Sequence, residues 1–431
     1  MKKNQLLFIL ILSIIGISDS CREDFLDVKP AGGLSEYVLA TEEGIDALLV
    51  GAYSMLDGVS APQFGWRSAS SNYMKQARAL RGWYHFEAWR MWKMIPYVDE
   101  NTDIRNVSNK EDIRTKIIDD LQEGALPLLQ DARGGTKPDG SPIGLAPTYG
   151  EVLNFPYKPG GSPGGCCGFY QPTQEFVNSY RTSGGLPLLD FSYNNDPVIS
   201  DQGLAIYDPF VEDAGPLDPR LDWAVGRRGI PYWDWGVHTG SDWIRDQTYA
   251  GPYSPKKQVY KKTDEGIYTE VGNWTSGWTA NGYRMIRYAD LLLLLAECQI
   301  ETGDLTGALA NINMVRERAA NPNGYVMESD GTTPAATYDV KPYPSFPDQT
   351  YARNALRMER KLELGMEGHR WFDLNRWGIT VTELNRALAY EKTMPWGGAM
   401  YGNATVGAED VTYPIPQRQI DMSYGKLVQN R

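Results

Sequence analysis

The chain has 431 residues, 22% of them charged and 42% hydrophobic, and a formal charge of −12. That length is ample to bury a large core, and the acidic balance, with Lys and Arg scattered singly or in pairs, leaves no electrostatic footprint for nucleic acid. The 44 Gly and 27 Pro follow no period, which indicates long loops rather than a collagenous or wholly disordered chain.

Residues 1–20 carry Lys2 and Lys3, an apolar run Leu6–Ile17, then small Ser18 and Ser20 ahead of Cys21. This order predicts a secretory signal too short to act as a stop-transfer helix. A cysteine directly after the small residues looks like a bacterial lipoprotein signal, cleaved before Cys21, which then carries lipid. Ordinary secretion with Cys21 incidental is the alternative. Acyl chains on Cys21 would anchor a soluble body at the membrane without spanning it. Leu291–Ala296 is too short to span and reads as a buried helix segment.

Helical periodicity dominates the remainder. Glu42–Leu56 places Ile45, Leu48, Leu49, Ala52, Tyr53 and Leu56 on one face, and Asn72–Met91 and Asn109–Leu129 carry similar stripes. From Gln130 to Gly168 the chain is too rich in Gly and Pro for a helix, and it stays irregular to Gly282 apart from short pieces such as Pro172–Tyr180. Helices return at Tyr283: one through Glu301, a Gly303–Asp304 turn, and a second to Ala319, with Ala296 and Ala308 near the crossing. Such a pair reads as tetratricopeptide-like and needs neighbours to bury its face. Asn354–Trp377 and Thr382–Tyr390 are expected to be helical, and Pro414–Gln429 extended. The fold class is therefore mostly α: a helical-repeat scaffold with long irregular loops.

Four segments then carry a resemblance to one family. They are CREDFLDVKP from Cys21, the helix pair Arg284–Ala319, the string MERKLELGMEGHRWFDLNRWG from Met358 to Gly378, and YPIPQRQIDMSYGKLVQ from Tyr413, completed by Asn430. Together they resemble the SusD/RagB nutrient-binding lipoproteins of the Bacteroidetes outer membrane. Gln171–Leu186 and Asp218–Arg220 also fit, and Arg22, Glu23 and Asp24 resemble the short acidic export signal of such lipoproteins. The resemblance implies a signal peptide, 1–20, and a single SusD-like domain, 21–431. Within it, 21–130 would be N-terminal helices, 131–282 a loop-rich ligand-binding insertion, and 283–431 the C-terminal helix pair and closing helices. After Leu126–Pro127 the chain departs from the family pattern, as though one helix pair were missing. The implied role is a surface lipoprotein that binds an oligosaccharide and passes it to a SusC-type TonB-dependent transporter. A peptide ligand, or a surface glycan hydrolase, is the alternative.

The charged string at 358–378 admits two readings. Glu367 and Asp373 could act as an acid–base pair, or the alternating signs could form a lattice of internal ion pairs; the lattice is the expectation. Trp223, Tyr232, Trp233, Trp235, Trp243, Trp274 and Trp278 lie in loop-like sequence, where flat rings suit stacking on sugars. The candidate ligand residues are Trp233, Asp234, Trp235, Trp243, Trp274 and Trp278, with His238, Asp242, Arg245 and Asn273 as polar neighbours. The competing expectation is that several of these rings pin loops to the core. No Cys/His spacing suits a metal, so no cofactor is expected beyond lipid on Cys21. Adjacent Cys166 and Cys167, in a Gly-rich loop unlike a phosphate loop, are either two thiols or a strained ring.

Overall fold

Helix α1 spans Tyr73–Trp92 and α2 Arg114–Asp131. The short helix α3, Gln174–Asn178, starts at Thr173, whose side chain accepts the Phe176 backbone N–H. Single-turn helices α4, Leu221–Ala224, and α5, Gln247–Ala250, punctuate the loop region. The long helices α6, Tyr288–Thr302, and α7, Leu305–Ala320, follow, then α8, Gln349–Glu363. The chain closes with α9, Arg370–Arg376, α10, Thr380–Glu391, α11, Gly397–Tyr401, and α12, Gln417–Met422. The structure is a computed structural model that describes residues 73–99, 102, 107–131, 156, 168–257, 259–265, 269–270, 278–279 and 287–430. The expected signal segment, Cys21, the helix expected at Glu42–Leu56, Cys166, Cys167, Asn273 and Trp274 lie outside them.

The chain divides into two units, and the division falls inside α1. In the first, Ile113 and Ile117 are buried, the Arg81 guanidinium grips the Asp120 carboxylate through two hydrogen bonds of 2.8 and 2.5 Å, and Trp83 packs on Phe86.

The second unit holds the loop region and the later helices. Gly303 ends α6 in the left-handed conformation, φ 89°, and Asp304 caps α7 by accepting the Gly307 N–H. The two helices therefore fold back on each other, and Leu292, Leu293, Ala296 and Ile300 meet Ala308, Ile312 and Val315, joined by Ala352, Ala355 and Leu356 of α8. Ala296 and Ala308 are fully buried, as their small size at the crossing suggested. The run Leu291–Ala296 is not buried throughout: Leu291, Leu294 and Leu295 face solvent, because a helix turning 100° per residue cannot point six consecutive side chains inward.

Helix α8 also supplies Met358 and Leu362 to a second core with Val177, Tyr180, Tyr193, Leu217, Leu221 and Tyr253. Wedged between the two cores, it carries buried Glu359, Arg360, Lys361 and Glu363, and every one has a partner. Glu359 meets Arg316 and, at 2.9 Å, Arg220. Arg360 bridges Asp290 and Asp373, both at 2.8 Å, Lys361 meets Glu175 at 2.9 Å, and Glu363 takes Arg318 and Arg287. Burial opposes ionisation of Glu175, but Lys361 and Arg386 outweigh it and hold its carboxyl down to about 2.

The charged string is thus an ion-pair lattice. Glu367 pairs with Lys257 and Arg287 while Asp373 pairs with Arg360 and Arg376, so the two do not form an acid–base couple with each other. Two other expectations are corrected. Asn354–Trp377 is not one helix but α8 and α9, separated where Met366 and Gly368 adopt positive φ. The C-terminal stretch is not wholly extended, since α12 lies within it; Asn430 fastens its end by donating to the carbonyls of Trp92 and Tyr413.

The short strands pair antiparallel: β1, Thr182–Ser183, with β2, Leu186–Pro187; β3, Val225–Gly226, with β4, Ser254–Pro255; β5, Thr269–Glu270, with β6, Trp278–Thr279.

Glu359→Ala leaves two buried guanidinium groups facing an empty position, and breaking a buried pair costs about 3–5 kcal/mol. Urea unfolding is expected to show a loss of that order for Glu359→Ala and none resolvable for Glu301→Ala, whose pair with Arg353 lies at the surface.

Candidate functional site

The loop-region aromatics assemble around a hairpin at residues 229–239. Gly229 and His238 exchange backbone contacts across it, with His238 N–H donating to Ile230 and Gly229 N–H to His238, each at 3.0 Å. Its tip is closed by Tyr232 N–H on the Gly236 carbonyl at 2.8 Å. Trp233 takes a left-handed φ of 52° and Gly236 one of 101°. That turn sends Tyr232 inward while Trp233 and Trp235 lie half-buried beside it.

The inward side is a core. Tyr232 and Trp243 meet edge to face at 5.6 Å, and His238 sits 5.0 Å from Trp243. Tyr232 packs on Gly226, where a β-carbon would collide with its ring. The Tyr232 hydroxyl donates to the Pro255 carbonyl at 2.5 Å. Trp243 is only 2% exposed, which corrects its place among the ligand residues: its ring is spent on loop packing. His238, also buried, has one nitrogen against the Ser254 hydroxyl while Nδ1 accepts the Gly240 N–H. Burial, with Lys256 adding to it, pushes its imidazole down to about 3.

The outward side is a cleft of about 420 Å³ lined by Trp223, Trp233, Val259, Tyr260, Lys261 and Asp264, with Lys257 at its wall. The two indoles lie 5.2 Å apart, inclined at 57°. Each is held by its own N–H, Trp223 on the Gly324 carbonyl at 2.7 Å and Trp233 on that of Lys256 at 3.2 Å. Trp235 is fixed the same way, donating to Tyr260 at 2.9 Å, and stands edge to face on the Tyr260 ring. Asp234 does not point into the cleft to receive a ligand. Its carboxylate accepts the backbone N–H groups of Lys262 and Thr263 at 2.6 and 2.9 Å, pinning the hairpin tip to the 3₁₀ turn Lys262–Asp264.

Beneath the cleft Lys256 is buried. Its ammonium donates to the carbonyls of Asp222 and Pro231 at 2.6 and 2.7 Å and lies 5.5, 5.6 and 5.8 Å from the rings of Trp223, Tyr232 and Trp233. Burial brings its pKa down to about 7 against the pull of Asp222. Lys257, next in the chain, reaches away to Glu367 and to the carbonyls of Glu363 and Gly365, so the cleft wall is tied to the end of α8.

Of the expected residues, Trp233 and Trp235 are therefore together, Asp234 supports them, and Trp243 is core. Trp278 lies in β6, and Trp274 is outside the described residues. Trp223, Tyr260 and Lys256 complete the arrangement; the first was visible only as one more loop tryptophan, and the other two had no pattern to single them out. Rings held by their N–H groups keep their faces for a ligand, which suits the apolar face of a sugar. Among the described residues no group of three or more His, Cys, Asp or Glu is placed to hold a metal ion.

The architecture is therefore a mostly helical scaffold with an aromatic loop face. Residues 133–431 match the SusD family, and the chain belongs to it. Two SusD-like proteins of Formosa agariphila are 31% identical over 139 residues and 37% identical over 92. Those stretches are 32% and 21% of this chain, and the chain spans 22% and 16% of those relatives. A crystal structure of a SusD-like protein from Bacteroides fragilis shares the fold, with a TM-score of 0.52 at 17% identity over 90% of this chain and 85% of that one.

Removing the Trp243 ring is expected to destabilise the unit by about 3–5 kcal/mol, whereas Trp235→Ala should lower the melting temperature far less; thermal unfolding by circular dichroism separates them. The neutral His238 adds an acid sensitivity. Its contribution is complete above pH 6.5, where the unfolded imidazole releases its proton, and is lost as pH falls towards about 3. Urea unfolding at pH 7, 5.5 and 4.5 should show a shallower decline for His238→Gln than for the parent.

Proposed function

We propose that this SusD-family chain binds oligosaccharides at the cell surface and hands them to a SusC-type TonB-dependent transporter, breaking no bond itself. The observation that carries the reading is the cleft between Trp223 and Trp233, whose indoles are locked by N–H bonds to the Gly324 and Lys256 carbonyls. Rings already fixed lose little freedom on binding, so stacking translates into affinity. The charged groups nearby favour a neutral ligand: Lys257 is held by Glu367 and Asp234 by two backbone N–H groups, and the remaining charges in the lining, Lys261 and Asp264, are of opposite sign. In this reading Cys21 carries the lipid that anchors the mature chain, residues 21–431, to the outer membrane.

A glycan array probed with the purified mature chain is expected to show binding to at least one oligosaccharide class, with no shortened products on chromatography of the incubated ligand. Binding only to a parallel peptide array, or release of shorter sugars, would replace the reading. Trp233→Ala should weaken the strongest glycan about tenfold, the loss of roughly 1.4 kcal/mol, with the fold intact by circular dichroism. In cells, Cys21→Ala should move the protein from the outer-membrane to the soluble fraction in a strain lacking the transporter, as fractionation and blotting would report.

A further inference from the structure

The hairpin that presents Trp233 to the first cleft lines a second one with its returning strand. This second cleft, of about 410 Å³, lies between Val237, His238 and Thr239 on that side and the loop carrying Tyr207, Phe210 and Glu212 on the other. We propose that it is a second glycan subsite, in which a sugar ring stacks on Tyr207 and its hydroxyls donate to the Glu212 carboxylate. The proposal rests on the carbohydrate reading above and adds a separate place of contact to it.

Three observations carry it. Tyr207 is 90% exposed, yet the loop that displays it is tightly built. The Ala205 N–H donates to the Asp208 carboxylate at 2.7 Å and the Asp208 N–H returns to the Ala205 carbonyl at 3.0 Å. Arg228 then clamps the loop by donating to the carbonyls of Ala205, Ile206 and Asp208 at 3.2, 2.8 and 2.8 Å. A single exposed ring on a slack loop would need no explanation, but here several hydrogen bonds are devoted to holding one aromatic side chain out in water. Nothing in the core is gained by that, whereas a stacking partner would gain a ready platform.

The second observation is Glu212. It lines the cleft, and among the described residues its carboxylate has no hydrogen-bond or ion-pair partner. Burial pushes the carboxyl up, with the charge of Glu328 adding to it and that of Arg227 opposing. A partly desolvated acceptor facing an apolar-walled cleft gains from a ligand that brings hydroxyl donors.

The third is the state of Arg228, among the described residues the one Lys or Arg lining the cleft. Its guanidinium is committed to the three carbonyls and leans over Phe210, 5.3 Å from the ring centroid. The cleft therefore offers an anionic ligand no free cation, but offers a neutral polyhydroxyl ligand both a ring face and an acceptor. Two weak subsites on one molecule also suit polymers, since a second contact made by the same chain is favoured by its high local concentration.

Affinity gels containing starch, xylan, xyloglucan, galactomannan, mixed-linkage β-glucan or arabinogalactan test the proposal with the mature chain. On the polysaccharide that retards the parent most, Tyr207→Ala and Glu212→Gln are each expected to weaken apparent affinity by about three- to tenfold, on the scale of one lost stacking or hydrogen-bonding contact. Trp233→Ala should weaken it independently, and Trp233→Ala combined with Tyr207→Ala should abolish retardation. Melting curves should show Tyr207→Ala as stable as the parent. Retardation unchanged by both Tyr207→Ala and Glu212→Gln but lost in Trp233→Ala would overturn the second subsite and leave the tryptophan cleft standing. The reverse pattern would keep the second subsite and remove the first. A folded parent that no polysaccharide in the set retards would sink both.

Discussion

Helix α8 is buried on two faces, and four consecutive turns of ordinary side chains would not create the constraint that its charges do. An isolated ion moved from water into a protein interior costs several kcal/mol even after relaxation, so Glu359, Arg360, Lys361 and Glu363 force a partner from each element packed around them. Arg316 comes from α7, Asp290 from α6, Asp373 from α9, Glu175 from α3, and Arg220 from the residue that opens α4. Apolar contacts could be satisfied with these elements slid or rotated by small amounts. Bidentate and bridging ion pairs cannot, because their geometry is narrow.

The lattice also explains how a loop-rich region comes to hold a candidate site. Arg220 is bonded through two oxygens to Asp218 and through others to Glu359 and Glu363, which fixes the chain just ahead of Trp223. Lys257 fixes the next stretch by reaching the carbonyls at the end of α8. Lys256 and Lys257 thus point to opposite duties from adjacent positions, one beneath the aromatic rings and one into the scaffold. The candidate ligand surface is assembled from loops, but its anchors are the same charges that hold the helices together.

Around both clefts several charged groups are already engaged, while Glu212 in the second and Lys261 and Asp264 in the first stay in the lining. Around the first, the polar groups nearest the rings are engaged by backbone; around the second, Arg228 is absorbed by its own loop. Indole N–H groups bond carbonyls, which leaves the ring faces as the candidate recognition surface. A net charge of −12 disfavours polyanions, and aromatic clefts of this kind support the proposed reading of neutral ligands with one apolar face.

Much of the scaffold was legible in the sequence because helix signals are local. The Gly303–Asp304 turn, the small residues Ala296 and Ala308, and the alternating charges at 358–378 each announce themselves within a few residues, and the last also marks the SusD family. The break between α8 and α9 was marked only by Gly365 and Gly368, since Met366 in a positive-φ conformation leaves no sign in the apolar period. The site was legible only as a region: a loop stretch rich in tryptophan. Trp233 and Trp243 have similar surroundings in sequence, yet one lines a cleft and the other is core. What separated them was long-range packing, namely Gly226 of β3 admitting Tyr232, His238 filling the gap beside Trp243, and Lys256 arriving from beyond β4. The sequence by itself determined the α6–α7 pair and the family, since periodicity is written residue by residue; tertiary structure alone decided which aromatic rings meet solvent, since in loops no period links a side chain's position to the face it occupies.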